Sequence, residues 1–227
     1  MPEMHWVLLG GLGGVIGAIG TLIGAGGGFL LMPILALMYP REAPETLASI
    51  SLGVVFLNAL SGSIGYGRQR MIDYRAGWVF LAAGIPGAIG GALVTPLIPR
   101  REFDIGLGVV LGVVGVLVVA TGALRPRQAE HALPHARRWG RAFVVKGVAI
   151  SFVVGFVSSL LGIGGGIIHV PAMVYVLGFP VHTAAATSHF VLAGTALSGT
   201  AAHVGRGGFA HGVMRTLVIG IGAMAGA

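Results

Sequence analysis

The sequence predicts an all-α integral membrane protein made of two homologous repeats of about four transmembrane helices. The first helix of each repeat is broken by glycines. Three observations carry this. The 227-residue chain is 55% hydrophobic and 9% charged, with a mean hydropathy of +0.91, whereas soluble domains carry about 25% charged residues. Residues 46–67, 76–99, 105–124 and 147–205 contain no Asp, Glu, Lys or Arg, and a bilayer-spanning helix needs about 20 apolar residues. Third, one glycine motif occurs twice, each time inside a long apolar run.

The first copy is Gly24-Ala25-Gly26-Gly27-Gly28-Phe29-Leu30-Leu31-Met32-Pro33, and the second is Gly162-Ile163-Gly164-Gly165-Gly166-Ile167-Ile168-His169-Val170-Pro171. Both read G-x-G-G-G-x-x-x-x-P. Glycine costs roughly 1 kcal/mol in a helix interior, so three adjacent glycines break one. A helix that restarts after the break exposes its first free N–H groups and its positive dipole end. Inside a membrane that arrangement suits an anion.

Residues 6–38 form one apolar run. As a single helix it would be ~50 Å long, too long for a ~30 Å hydrocarbon core. The break predicts a helix over 6–23 and a half-helix over 29–38. Tyr39 to Pro44 is a turn, and a helix follows to Tyr66. A basic loop precedes a third helix over 74–97, kinked at Pro86. A fourth helix spans 103–124. Residues 125–141 are the longest polar stretch and read as a linker between a first repeat over 1–124 and a second over 142–227. Helix five starts near Ala142, breaks at Gly162–Gly166 and restarts to Leu177. Helix six covers 181–204, a loop follows to Gly212, and helix seven starts near Val213.

The repeats match beyond the glycines. Ala59-Leu60-Ser61-Gly62-Ser63 pairs with Ala196-Leu197-Ser198-Gly199-Thr200, Gly67-Arg68 with Gly205-Arg206, and Gly84-Ile85 with Gly220-Ile221. By this repeat logic a last helix, roughly 35 residues, is expected and is missing from this chain. The N-terminus lacks the basic region and cleavage site of a signal peptide, so the first apolar run is expected in the mature protein. If each broken run crosses once, one side holds 11 of the 14 Lys and Arg residues. That split puts the N-terminus in the cytoplasm and makes the repeats parallel. If each broken run turns back, the repeats are inverted and the split is 9 against 5. Single crossing gives the stronger asymmetry and is the expectation adopted. A multi-pass protein of the plasma (inner) membrane follows.

None of the seven acidic residues lies inside a predicted helix core, which argues against a cation pump. Lys and Arg are absent there too, so an anion must be held by neutral donors. Counting about 14 residues each way from the turn near Phe179 sets Gly165 level with Ala193, one turn from Thr195. The same count in the first half sets Gly27 level with Leu57–Asn58. His169 is level with His189, beside Thr187 and Ser188, with Ser49 and Ser51 as first-half counterparts. Either histidine could carry a coupling proton. Other readings of these residues stay open. The glycines also fit close helix packing alone, the histidines satisfied interior positions, and Asn58 with the hydroxyls interhelical hydrogen bonds. His182, His189 and His203 share roughly one face, which keeps a divalent-metal permease open, though no carboxylate or Cys completes a site. A channel using the same donors is a further alternative. The chain has no cysteine. No cofactor, resident metal, nucleic-acid partner or enzymatic activity is expected, and the oligomeric state is open, a homodimer included.

The doubled G-x-G-G-G-x-x-x-x-P, each followed by a Ser/Thr-containing helix (Leu47-Ala48-Ser49-Ile50-Ser51; Ala186-Thr187-Ser188-His189-Phe190), resembles the TauE/SafE sulfite exporter family of membrane permeases. The resemblance covers nearly the whole chain. It implies an eight-helix-type inner-membrane carrier that exports sulfur-containing anions such as sulfite or sulfoacetate. By matching position it points to Gly24, Gly26, Gly27, Gly28, Gly162, Gly164, Gly165, Gly166, Ser49, Ser51, Thr187 and Ser188.

Overall fold

The computed structural model describes residues 2–123, 139–206 and 212–227. The expected linker falls largely outside them, as does most of the loop before helix seven. The described residues form α1 (Pro2–Ile23), α2 (Gly28–Met38), α3 (Pro44–Arg68), α4 (Tyr74–Val94), α5 (Arg100–Ala123), α6 (Arg141–Leu161), α7 (Gly166–Tyr175), α8 (Val181–Gly205) and α9 (Val213–Gly226), with a 3₁₀ turn at Thr95–Leu97. Among the described residues, four helical segments are long and apolar enough to cross a membrane: Trp6–Ile23, Pro44–Arg68, Tyr74–Leu97 and Arg141–Leu161.

The helix ends follow local chemistry. α1 stops where Gly24, Gly26 and Gly27 take φ of 80°, 71° and 79°, and α6 stops where Gly162 and Gly164 take 67° and 66°. Side chains other than glycine rarely adopt this region. α3 opens with Pro at its first turn after extended Ala43, where the missing N–H costs nothing. α4 is capped by Asp73, whose Oδ1 accepts from the Ala76 N–H at 3.1 Å. The Asp73 N–H donates to Thr187 Oγ1 at 3.0 Å, tying the cap to α8. Asp73→Ala is therefore expected to lower stability by about 0.5–2 kcal/mol, the range for N-cap loss. A thermal unfolding midpoint indistinguishable from the parent in the same detergent would exclude this role.

Glycines let helices meet backbone to backbone. A Cβ on Gly13 or Gly17 of α1 would lie 2.1 or 2.3 Å from the carbonyl oxygens of Ile219 and Ala223 on α9. A Cβ on Gly87 or Gly91 of α4 would lie 2.2 Å from those of Phe152 and Phe156 on α6. Small residues at such crossings allow the close approach that drives helix association in lipid. Between these pairs α3 packs on α8, through Leu52, Val55, Ala59, Leu192 and Ala196.

These contacts also give helix directions. Residue numbers rise together between α1 and α9, and between α4 and α6. They also rise together between α3 and α9, where Leu57 meets Gly220 and Ser61 Oγ donates to the Met224 carbonyl. On α3 and α8 they run oppositely, since Gly62 faces His189 while Leu52 faces Gly199. So α1, α3 and α9 share one direction and α4, α6 and α8 take the other. The single-crossing expectation is corrected: the first broken run turns back. Arg215, at the start of α9, reaches Glu42 Oε1 at 3.1 Å and covers the Tyr39 ring at 4.2 Å. The chain after α2 has thus returned to the end where α1 begins. The cause is the run of left-handed glycines, which reverses the chain where a continuous helix would have carried it across.

Candidate functional site

The two glycine breaks pack against each other at the centre of the molecule. A Cβ on Gly28, the first residue of α2, would lie 2.5 Å from the Ile163 carbonyl oxygen. A Cβ on Gly166, the first residue of α7, would lie 2.5 Å from both Ala25 Cα and the Gly24 carbonyl oxygen. Neither helix start has a side-chain cap. Two uncapped N-termini, each worth about half a positive charge, are held side by side. They repel one another unless an anion or a carbonyl lies between them.

Next to the second break is a small cavity lined by Ser151, Val154, Gly155 and Ser158 of α6, Gly165, Gly166 and His169 at the α7 start, and Ser188, Val191, Leu192 and Thr195 of α8. The volume open to the centre of a water molecule is about 10 Å³, room for about one water. Its polar lining is neutral: three serines, a threonine, a histidine and the glycine backbone. His169 is 3% exposed. Its Nε2 sits 3.1 Å from Ser151 Oγ, and its ring meets Phe80 edge-on. Ser188 Oγ is buried with no hydrogen-bond partner among the described residues. Thr195 Oγ1 donates to the Val191 carbonyl one turn back.

Of the residues singled out by sequence, the cavity gathers Gly165, Gly166, His169, Ser188 and Thr195. The others lie elsewhere. Gly162 packs on Ala48, and Gly164 on Val55. Ser51 Oγ donates to the Gly162 carbonyl at 2.5 Å, pinning α3 to the second break. Ser49 Oγ is turned onto its own helix, at the Glu45 carbonyl. Thr187 serves the α4 cap. Asn58 Oδ1 accepts from Thr21 Oγ1 at 3.3 Å, while its Nδ2 is buried without a partner among the described residues. Gly24 and Gly26 pack on Ala185 and Leu192 of α8, and Gly27 on Ile16. His189, level with His169 by counting, does not line the cavity. It is fully buried against Gly62 and edge-on to Tyr66. The histidine face disperses too: His182 is exposed, and His203 is buried at the far end of α8. Among the described residues no three His, Asp or Glu side chains converge on a metal position.

Ser151 and Ser158 were not expected. Their signal is spacing, since two serines seven residues apart in an apolar helix share one face. The motif alignment places Gly13, Gly20 and Leu31 at the first-half positions of Ser151, Ser158 and His169. The second half therefore supplies the polar donors, and the first supplies close-packed backbone.

A many-helix apolar bundle with a neutral, donor-lined centre defines a class: a polytopic membrane transporter. Within it, the chain belongs to the sulfite exporter TauE/SafE family, whose model matches residues 9–227. It is 30% identical over 218 residues to YunE of Bacillus subtilis, described as a probable membrane transporter protein, covering 88% of this chain and 79% of that one. Similar proteins of Xylella fastidiosa strain Temecula1 (28% identical over 178 residues, 78% and 66% covered) and Methanocaldococcus jannaschii (27% over 198 residues, 83% and 68% covered) carry the same description. This chain thus spans about two thirds to four fifths of the length of these relatives. No solved structure matches it significantly.

Proposed function

We propose that the chain is a secondary transporter that exports a small sulfur-containing anion, sulfite or an organosulfonate such as sulfoacetate. The observation that carries this is the meeting of the two uncapped half-helix starts beside a cavity of neutral donors. An oxyanion beside them would accept from backbone N–H groups, from His169 and from the Ser151, Ser158 and Ser188 hydroxyls. Room for one water is too little for a sulfonate, so this is a closed state that must widen for the substrate. A cavity this small also favours a carrier over an open channel.

Residues 1–124 and 142–227 form two repeats in this reading, and they are inverted rather than parallel. The reciprocal packing of α1 on α9 and α4 on α6 supports it, as does the opposite sense of α3 and α8. Inverted repeats rocking about a central site are a common means of alternating access. With the broken runs turning back, the basic residues divide 9 against 5, and the N-terminus lies on the less basic side. The positive-inside rule then places it outside the cytoplasm, opposite to the single-crossing expectation.

The test is thermal stabilisation of purified protein in sulfite, sulfoacetate, taurine, sulfate, chloride and Zn²⁺. A ligand at 100 times its Kd adds about 2.7 kcal/mol to native stability. The expected result is a raised melting temperature with sulfite or one sulfonate and none with chloride. A shift with Zn²⁺ alone would overturn the reading.

A further inference from the structure

The end of the molecule where α1, α3 and α9 begin holds a second buried polar pair, and it joins the two halves. Glu45 lies in the first turn of α3 and His203 in the last turn of α8, with His203 Nδ1 and Glu45 Oε1 3.9 Å apart. The His203 side chain is fully buried and that of Glu45 is 20% exposed. Glu45 Oε1 and both His203 ring nitrogens are buried without a hydrogen-bond partner among the described residues. The separation exceeds the 2.7–3.2 Å of a formed hydrogen bond. Buried polar atoms are rarely left unmet, because each costs its desolvation.

The neighbouring charges are otherwise committed. Arg215 of α9 holds Glu42 at 3.1 Å. Arg100 of α5 holds Asp104 at 2.9 Å and donates to the Glu42 carbonyl. Arg206, just past α8, is exposed and acts on His203 only through its field. From α6 the neutral backbone of Ser159 faces His203, and the Ser159 Oγ is buried and unpartnered among the described residues. The ligand that fits an imidazole and a carboxylate in these surroundings is a proton.

We propose that Glu45 and His203 form a proton-binding site, shared between the halves, that couples proton movement to anion transport. A proton from water on this side forms an N–H bond at His203 and leaves an imidazolium facing the Glu45 carboxylate. The pair is then net neutral and can close its gap, which holds α3 and α8 together. Loss of that proton to the water of the opposite side, in the alternate state of the carrier, leaves a net negative charge in a buried place, which is disfavoured. The unloaded end is the one that opens. The protons belong to the pair rather than to either residue. The coupling role rests on the carrier reading, whereas the proton site itself does not.

The test has two arms on the full chain. In lipid nanodiscs, the thermal midpoint is followed over about pH 5–8 for the parent, Glu45→Gln, His203→Gln and the double variant. Each single variant is expected to remove the same pH-dependent component, and the double to remove no more. An unchanged pH dependence in both single variants, or losses that add as for independent sites, overturns the proton site. In proteoliposomes with sulfite as the probe, both variants are expected to lose at least tenfold in pH-gradient-driven uptake and to keep sulfite–sulfite exchange. Retained gradient-driven uptake overturns the coupling. If the parent moves no sulfite, the carrier reading and the coupling role fail together, and the nanodisc titration still decides the proton site.

Discussion

Gly166→Val is expected to abolish anion-dependent stabilisation and to lower the melting temperature of the protein itself. The added Cβ would lie 2.5 Å from Ala25 Cα and from the Gly24 carbonyl oxygen. Both are backbone atoms of the opposite break, so nothing flexible can give way. Overpacking of this kind costs about 1–3 kcal/mol, occasionally more. Relief requires separating the two breaks, which also dismantles the paired helix starts that would hold the anion. Gly28→Val meets Ile163 and Val55 in the same way and should behave alike. The control is Gly108→Ala, which has nothing within 4 Å of its Cβ and sits inside α5. It should be neutral or stabilising by up to about 1 kcal/mol. Melting curves with and without sulfite, run on the three variants, check this. A folded Gly166→Val protein that sulfite or a sulfonate stabilises as much as the parent would show that the meeting of the breaks is packing alone.

His169→Leu is expected to weaken anion binding by about 10- to 100-fold, or about 1.4–2.8 kcal/mol. The substitution installs the residue that the first half carries at the matching position, Leu31, so the shape is tolerated. What goes is the ring nitrogen 3.1 Å from Ser151 Oγ. The hydroxyl of Ser151, a residue 2% exposed, then loses its partner at about 1–3 kcal/mol. His169→Gln should recover part of the affinity because its amide can still meet Ser151. His182→Leu, on the exposed start of α8, should bind as the parent does. Titration of each purified variant with the anion that stabilises the parent decides it: equal affinity for His169→Leu and parent removes His169 from the site. A loss that His182→Leu shares would indicate a general effect on the fold.

Much of the architecture is legible in one dimension because the bilayer admits few solutions. Every backbone group must be satisfied within the membrane, so a long apolar run is a helix, and its ends fall at Pro44, Asp73 and Gly178 for local reasons. Adjacent glycines at Gly26–Gly28 and Gly164–Gly166 are local too, and they locate both breaks to within a residue or two. The paired motifs such as Ala59–Ser63 and Ala196–Thr200 are what the expectation of a repeat rests on, by similarity alone.

Direction and partnership are different matters. Whether the chain crosses or turns back at Gly24–Gly28 depends on the φ that each glycine adopts, and glycine permits either sign. Charge counting preferred crossing; the contacts of Arg215 with Tyr39 and Glu42 put the chain back at its starting end. Likewise counting sets His169 and His189 level, yet one meets Ser151 and the other Tyr66. Rotation leaves no trace in helices that are apolar all round. Ser151 and Ser158 look like any hydroxyls in an apolar run until α7 and α8 close beside them. Glu45 reads as a helix opener at the water interface until His203, from the other half, is laid against it. The sequence by itself determined where helices begin, break and recur, because those follow from short-range chemistry and the membrane's demand for satisfied backbone. Only the tertiary structure decided which way each helix runs and which side chains meet, because those depend on packing between separate helices, from 18 positions apart for Ser151 and His169 to 173 for Glu42 and Arg215.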